Sequence, residues 1–192
     1  MDVNTIQTRA QQLSAAQSLL REDRAAGLAA LNQLFRGGTF PEPPPAGRYR
    51  GTMITIELAS AFTPFVQWIA DRWMPWKGKT FDVSQPRGDN IFSKDSYLVA
   101  RLFNPLYRGF VVDRSRTYRA FAFRTFSAPG LFDPDRTVLK IDYNLEENPT
   151  LTVRRVLDEL VQLESELYLG KAHIRWWWER WQTVGYFSLI PD

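Results

Sequence analysis

The chain of 192 residues contains no cysteine and a single histidine, His173. The first absence excludes a disulfide framework, a thiolate zinc site and a cysteine nucleophile, and the second excludes metal motifs built from several histidines. A Gly-x-Ser-x-Gly sequence, which marks one common class of serine nucleophile, is also absent. We therefore expect no metal and no other cofactor, and the sequence offers no arrangement that names a catalytic residue.

The sequence also lacks a long hydrophobic run and an excess of one charge. A membrane-spanning helix needs roughly 18 consecutive apolar residues, which occur nowhere, and the polar start of the chain does not resemble a secretory signal. We therefore expect a soluble, cytoplasmic protein. The net charge of +3 is a small difference between 24 basic and 21 acidic residues spread along the chain, so neither a basic patch nor nucleic-acid binding is expected.

Aromatic residues, in contrast, are abundant. The chain has 13 Phe, 7 Tyr and 7 Trp, and 44% of all residues are hydrophobic. Because aromatic side chains favour strands and line ligand pockets, this composition favours a β-rich binding fold.

The first 36 residues are predicted to form an N-terminal helical segment of one or two helices that packs on the rest of the protein. Proline is absent from residues 3–35, and apolar residues recur at helical spacing: Ile6, Ala10, Leu13, Leu20, Leu28, Leu31 and Leu34. A dimer seam is the alternative use of this stripe. Gly37 and Gly38 are expected to end the helix in a left-handed conformation. The proline-rich residues 37–47 are predicted to be a linker that runs extended across the surface.

Residues 48–192 are predicted to form a single β-domain, because short alternating segments are separated by turn signals. About ten strands are expected: 48–58, 79–83, 89–93, 97–103, 109–113, 117–127, 137–143, 159–163, 167–176 and 183–190. Residues 60–73 interrupt the alternation and predict one short helix that caps the domain. Sequential strands without crossover helices favour an antiparallel up-and-down β-barrel, with a two-sheet sandwich as the alternative.

Several strands mix polar and apolar residues on both faces, which suits a barrel that encloses a small cavity. Arg101 and Arg124 are either solvent-exposed or interior groups that would bind a ligand's carboxylate or phosphate. His173 is either a structural histidine or a ligand contact. All seven tryptophans fall in two windows, residues 68–76 and 176–181. At one end of a barrel they would cap its mouth, and core packing or membrane contact are the alternatives.

Three segments resemble the calycins, the group that contains lipocalins and fatty-acid-binding proteins. Gly47-Arg48-Tyr49-Arg50-Gly51 resembles the Gly-x-Trp opening of that group, with Tyr49 in place of tryptophan. Residues 76–81 are similar to the Trp-x-Gly-Lys-x-Phe segment of bacterial lipocalin-like domains of the GXWXG type. Residues 158–162, 167–172 and 185–187 resemble the closing part of uncharacterised bacterial proteins of the same shape. The resemblance implies an antiparallel barrel that binds a hydrophobic small molecule. The missing secretory signal and disulfides favour an intracellular carrier.

The sequence thus favours a cytoplasmic binding protein for a hydrophobic or amphipathic small molecule, such as a lipid, fatty acid or pigment. The candidate ligand-binding residues are Phe62, Phe65, Trp73, Trp76, Arg101, Arg124, His173 and Tyr186. Two alternatives stay open. One is a lyase or isomerase that uses His173 or Tyr186 as acid or base, and the other is an assembly factor that docks a partner or a membrane surface. A homodimer also stays open.

Overall fold

The computed structural model describes residues 7–56, 76–82 and 84–192. The predicted capping helix over residues 60–73, with Phe62, Phe65 and Trp73, lies outside the described residues. None of the helices in the described ranges combines the length and the apolar character that crossing a membrane requires.

Nine β-strands form one antiparallel sheet in the described part of the chain. They are β1 (Gly47–Ile56), β2 (Trp76–Phe81), β3 (Arg87–Ser93), β4 (Val111–Arg114), β5 (Thr117–Pro129), β6 (Thr137–Asp142), β7 (Val156–Glu164), β8 (Leu167–Arg175) and β9 (Trp181–Pro191). Their order is β3-β2-β1-β9-β8-β7-β6-β5-β4, and β3 also pairs with β5. That pairing closes eight strands into a barrel and leaves β4 outside it. The predicted closed antiparallel barrel is therefore confirmed, and it is consistent with a calycin-like fold.

A β-bulge in β5 lets the sheet bend at the closing pair. Phe121 has a positive φ of 59°, and the pairing with β3 shifts register between Gly88 and Asn90. The backbone N–H of Phe121 donates a hydrogen bond of 2.5 Å to the buried Tyr107 hydroxyl. The bulge changes which face each residue occupies, so both Ala120 and Phe121 are buried. The mixed faces of this strand therefore reflect a bulge and not a cavity lined by polar groups.

Residues 97–103 were predicted to be a strand, and this prediction is wrong. They form the helix α3 (Tyr97–Phe103), which follows a single 3₁₀ turn over Lys94–Ser96. Leu98 and Leu102 are exposed while Ala100 is buried, which is a helical and not an alternating pattern. The side chain of Asn104 donates a hydrogen bond of 3.0 Å to the carbonyl of Ala100 at the end of this helix.

The amino-terminal segment forms two helices, α1 (Arg9–Glu22) and α2 (Arg24–Arg36). Asp23 is extended, with φ of −138° and ψ of 102°. Its carboxylate accepts a hydrogen bond of 3.0 Å from the backbone N–H of Ala26 and so caps α2. The two helices approach closely because residue 27 is glycine: a Cβ there would lie 2.5 Å from the backbone nitrogen of Leu20.

The helix pair packs on the outer face of the barrel. Its apolar side chains form one cluster with outward-facing residues of β6 to β9: Leu13, Ala16, Leu31, Leu34, Phe35, Val138, Val161, Leu163, Leu169 and Tyr186. The helix ends at Gly37, whose φ of −82° is right-handed, so the expected left-handed ending is wrong. Gly38 is needed instead for a close approach, because a Cβ there would lie 2.6 Å from Cγ2 of Val161.

The linker after α2 lies on the barrel. Thr39 and Gln162 exchange two backbone hydrogen bonds, of 2.9 and 2.8 Å. Pro41 and Pro45 are buried, and Thr39 forms an isolated antiparallel bridge with β7, so this segment packs on the barrel between the helix pair and β1.

Candidate functional site

A cluster of polar side chains lies inside the barrel, and Lys79 of β2 is at its centre. This lysine is 2% exposed. Its ammonium group donates hydrogen bonds to Oδ2 of Asp158 at 2.8 Å, to Oδ1 of Asn90 at 2.9 Å and to the Tyr143 hydroxyl. The indole N–H of Trp76 donates to the same Asn90 oxygen at 3.1 Å. We call Lys79, Asn90, Tyr143 and Asp158 the interior polar cluster.

One hydrogen-bonding position of the interior polar cluster is open. The three N–H groups of Lys79 each have an acceptor, and the Tyr143 hydroxyl lies 3.2 Å from Oδ1 of Asn90 and 3.1 Å from Oδ2 of Asp158. Oδ1 of Asp158 is buried and has no hydrogen-bond partner among the residues that the structure describes. An acceptor in this state normally marks a position for a ligand or an ordered water.

Aromatic rings enclose the cluster. Four ring centroids lie 5.1–5.5 Å from the nitrogen of Lys79, and they belong to Trp76, Phe123, Tyr143 and Phe187. Rings at this distance stabilise a cation through their π-electrons. The ammonium group that binds Asp158 therefore lies in aromatic surroundings apart from its own hydrogen-bonded neighbours.

Burial changes the ionisation of two members of the cluster. It lowers the pKa of Lys79 below the usual 10.5, and the charge of Asp158 and its hydrogen bond offset only part of this effect. Burial also raises the pKa of the Tyr143 hydroxyl well above 10.0, and the nearby negative charge of Asp158 adds to the increase. Tyr143 is therefore a neutral hydrogen-bond donor throughout the physiological range.

The cluster lies towards one end of the barrel. Because neighbouring strands run antiparallel, the start of β2, the end of β6 and the start of β7 share an end, which we call the Trp76 end. Tyr143 directly follows β6 and Asp158 is the third of nine residues of β7, so these two lie at the Trp76 end, whereas Lys79 is the fourth of six residues of β2. Partly buried apolar side chains surround the core: Phe40, Met53, Trp76, Val153 and Val156. The connections 94–110 and 143–155 both leave the Trp76 end.

A second buried charged group lies on the outside of the same wall. Glu159 points outward beneath residues 130–136, where it accepts hydrogen bonds from Lys140 and from the backbone N–H of Leu131 at 2.5 Å. Its other carboxylate oxygen is 3.2 Å from Nε2 of His173. Burial alone would raise the pKa of Glu159, but His173 and Lys140 outweigh it and lower this pKa to about 2. His173, although fully buried, therefore lies outside the barrel interior.

The structure places the predicted ligand-binding residues in different parts of the molecule. Trp76 reaches the interior, where it contacts the edge of Phe187 at a centroid distance of 5.5 Å. Arg124 lies outside and binds Oδ2 of Asp142 at 2.7 and 2.9 Å. Arg101 is exposed on α3. Tyr186 packs beneath the helix pair. A ligand role for the outer residues stays a prediction, and they do not form one site with Trp76.

The second tryptophan window forms part of the core and part of the surface. Trp176 is buried in the barrel core and stacks on Trp178 at 5.4 Å. Trp177 and Trp178 are 46% and 50% exposed. Arg155 lies over the ring of Trp177 at 4.6 Å. By strand direction this turn is at the Trp76 end, so both tryptophan windows contribute residues to that end.

Lys79, Asn90, Tyr143 and Asp158 were not among the residues singled out from the sequence. Asp158 shares a strand face with Leu160 in a strongly apolar strand, which was a usable signal for an interior carboxylate. Lys79, in contrast, follows Lys77 and Gly78 and has the appearance of a surface residue. Comparison with protein-family models, curated proteins and solved structures finds no match to the chain.

Proposed function

We propose that this chain is a small-molecule binding protein whose barrel takes a hydrophobic ligand carrying one hydrogen-bond donor. The observation that carries the proposal is the open, buried Oδ1 of Asp158 in a cluster whose lysine is surrounded by aromatic rings. The ligand enters from the Trp76 end, and its donor, a hydroxyl or an N–H group, bonds to this oxygen.

Stability alone does not explain a charged pair in this position. Taking a lysine and an aspartate out of water costs several kcal/mol per ion, and well-packed apolar side chains are often equal or better in such places. A carboxylate oxygen without a partner adds to that cost. A functional role accounts for both features, because ligand binding completes the hydrogen bonds of the cluster.

The open position also restricts the ligand's chemistry. The ammonium of Lys79 already has three acceptors, so no N–H group remains for a ligand's carboxylate. An acidic ligand would also place a negative charge beside Asp158. The structure therefore favours a neutral alcohol or amide over the fatty acid that the sequence suggested.

We also propose that the chain is a cytoplasmic relative of the lipocalin-like domains of the GXWXG type. The segment that resembles their opening motif has a direct role at the site. Tyr49 packs edge-on against Phe81 at 5.5 Å. Gly51 leaves space for Trp76, since a Cβ at residue 51 would lie 2.2 Å from the indole ring. A motif that shapes the wall around the cluster supports this relationship.

The first experiment is native mass spectrometry of protein purified without detergent, followed by solvent extraction and mass analysis of the bound material. We expect one hydrophobic neutral molecule per chain. A protein that remains empty and does not take up Nile red would contradict binding in the barrel.

The second experiment tests the donor. Dodecan-1-ol and 1-methoxydodecane have similar apolar tails, but only the alcohol donates a hydrogen bond. Hydrogen bonds to charged groups contribute about 1.5–3 kcal/mol. The concentration of alcohol that displaces Nile red should therefore be at least roughly tenfold lower than the concentration of ether that does so. The double substitution Lys79→Met/Asp158→Leu should abolish this difference.

The matched control is Lys140→Met/Glu159→Leu, which removes a buried lysine–carboxylate pair one residue further along β7 but on the outer face. This variant should keep the preference for the alcohol. Equal affinity for the alcohol and the ether in the unmodified protein would refute the role of Asp158.

A proton-transfer enzyme is the second candidate function, because Lys79, with a lowered pKa, contacts the hydroxyl of Tyr143. The extracted molecule decides between the two functions. A carrier returns it unchanged after incubation with fresh protein, whereas an enzyme converts it and loses this conversion, but not binding, in Tyr143→Phe.

A further inference from the structure

A groove of about 890 Å³ lies beside the first half of β1 and is bordered by residues near the β4–β5 turn. Six of its lining side chains are basic: Arg48, Arg50, Lys77, Lys94, Arg114 and Arg116. Two are acidic, Asp95 and Asp192, so the lining carries a formal charge of +4. The whole chain carries only +3, so the excess positive charge is concentrated in this basic groove.

Four of these cations have no acidic partner. Arg50, Lys77, Lys94 and Arg116 form no ion pair within the described part of the chain, although most other basic side chains near them do. The backbones of the four unpaired residues lie side by side in two pairs. The N–H of Lys94 donates a hydrogen bond of 2.9 Å to the carbonyl of Arg116. Arg50 pairs with Gly78, the residue after Lys77.

Like charges held near one another repel, so these four cations around one groove cost some stability when no anion is bound. An anion bound between the cations would remove the repulsion. The unpaired state of the four cations is therefore the feature that points to a ligand, and not their number alone.

The remaining two cations hold the wall of the basic groove. Arg48 is 14% exposed and joins three elements, because it bonds to Asp192 at 2.6 Å, to Thr117 of β5 at 3.3 Å and to Asp113 of β4. Arg114 adds a second contact to Asp192, at 3.1 Å. The groove acid Asp192 is thus already neutralised, and the β4–β5 hairpin is tied to the start of β1.

We propose that the basic groove binds the phosphoryl group of a small anionic ligand, with Lys94 and Arg116 on one side and Arg50 and Lys77 on the other. Guanidinium and ammonium groups are the side chains that recognise phosphate oxygens best, and several of them together suit more than one negative charge. The hydroxyls of Ser93, Ser115 and Thr117 lie along the same lining and supply neutral donors. Trp76 also lines this groove and donates to Asn90 of the interior polar cluster, but none of the four cations belongs to that cluster, so the proposal does not depend on the barrel's ligand.

The test is isothermal titration calorimetry of the full chain with pyrophosphate, and co-sedimentation with vesicles of phosphatidic acid in phosphatidylcholine or of phosphatidylcholine alone. Pyrophosphate should bind, and its affinity should fall as the salt concentration is raised. The double substitution Lys94→Gln/Arg116→Gln should weaken binding roughly tenfold or more, because two charge-assisted contacts are lost. The control Arg108→Gln/Arg180→Gln removes two exposed cations that do not line the basic groove, and it should change affinity by about twofold or less.

Binding of pyrophosphate identifies a soluble phosphorylated molecule as the ligand, and binding only to phosphatidic acid vesicles identifies a lipid headgroup. Either result supports the site if Lys94→Gln/Arg116→Gln abolishes the binding. Three outcomes overturn the proposal: neither probe binds, the groove variant binds as well as the unmodified protein, or single-stranded DNA binds and pyrophosphate does not. The barrel variant Lys79→Met/Asp158→Leu should bind pyrophosphate normally, so failure of the barrel proposal and failure of this one give different results.

Discussion

Removing one member of the Lys79–Asp158 pair and removing both should have opposite consequences for stability. In Lys79→Met the carboxylate of Asp158 stays buried and loses its countercharge at 2.8 Å. Breaking a buried pair in this way costs about 3–5 kcal/mol, which is a large part of the stability of a domain this size.

The double substitution Lys79→Met/Asp158→Leu should recover most of that loss. The neighbouring polar groups keep partners, because Tyr143 can still donate to Asn90 at 3.2 Å and Trp76 to the same oxygen at 3.1 Å. Replacement of a buried pair by apolar side chains is often neutral or stabilises a protein by about 1–4 kcal/mol. Urea unfolding of the four proteins of this double-mutant cycle gives the coupling energy, which should exceed about 2 kcal/mol.

The same cycle has a pH signature. The pKa of Lys79 is lower in the folded protein than the value of 10.5 in the unfolded chain, so unfolding takes up a proton between these two values. Stability should therefore rise with pH through that window, up to about pH 10, where the raised pKa of Tyr143 begins to act in the opposite direction. The double variant should lack this rise. A double variant as unstable as Lys79→Met would show that the cluster holds the fold together and would refute the argument for a ligand.

Three further substitutions test other parts of the structure. Glu159→Gln should lower stability at neutral pH by about 3 kcal/mol. The reason is that the pKa of Glu159 is about 2 in the folded protein and 4.5 in the unfolded chain, so its carboxylate stabilises the fold above pH 4.5. The stability of the variant in urea should also change less than that of the unmodified protein between pH 4.5 and 2. Tyr107→Phe leaves the buried N–H of Phe121 without its 2.5 Å acceptor and should cost about 1–3 kcal/mol by thermal unfolding. Gly51→Ala forces a Cβ to 2.2 Å from the ring of Trp76 and should cost about 1–3 kcal/mol, with a shift in tryptophan fluorescence.

Each of these has a matched control on the surface. Glu147→Gln removes an exposed partner of Arg87 and should leave the acid profile unchanged. Tyr97→Phe removes the hydroxyl of a half-buried tyrosine that accepts from the exposed Arg101 at 3.3 Å. Gly37→Ala meets only the flexible end of Arg9 and a carbonyl, at 3.2 and 3.3 Å. Equal losses in a variant and its control would remove the stated reason for that prediction.

The barrel could be predicted from the sequence because its evidence is local and repeated. Alternating apolar residues with turn signals between them give the strands, and the lack of crossover helices gives antiparallel pairing. The exception, α3, shows the limit of that reasoning. A seven-residue apolar segment fits either periodicity, and only its packing through Ala100, with Leu98 and Leu102 exposed, decides for a helix.

The interior polar cluster could not be predicted because bulges change which residues share a face. Trp76 and Lys79 are three residues apart, so simple alternation places them on opposite sides of β2. The register shift between Trp76 and Gly78, with Gly78 at a φ of 143°, brings both to the interior. The pair between Lys79 and Asp158 also joins residues 79 positions apart, which no local pattern contains.

The basic groove could not be predicted from the sequence for a different reason. Net charge is a sum over the chain and says nothing about position, so the even spread of 24 basic residues predicted no patch. Folding brings the neighbourhoods of Arg50, Lys94 and Arg116 together from three separate strands and turns. Electrostatic surfaces of this kind require the pairing of the strands to be known.

Asp158 and Glu159 show how one strand places two buried charges in different environments. The two are consecutive, so strand alternation sends Asp158 into the barrel and Glu159 to the outer wall. One oxygen of Glu159 accepts hydrogen bonds from Lys140 and from the backbone of Leu131, and the other forms no hydrogen bond among the described residues but lies 3.2 Å from Nε2 of His173. Asp158 keeps one buried oxygen open among the described residues. The low pKa of Glu159 records its contribution to stability, whereas the open oxygen of Asp158 is the position that we propose the barrel's ligand occupies.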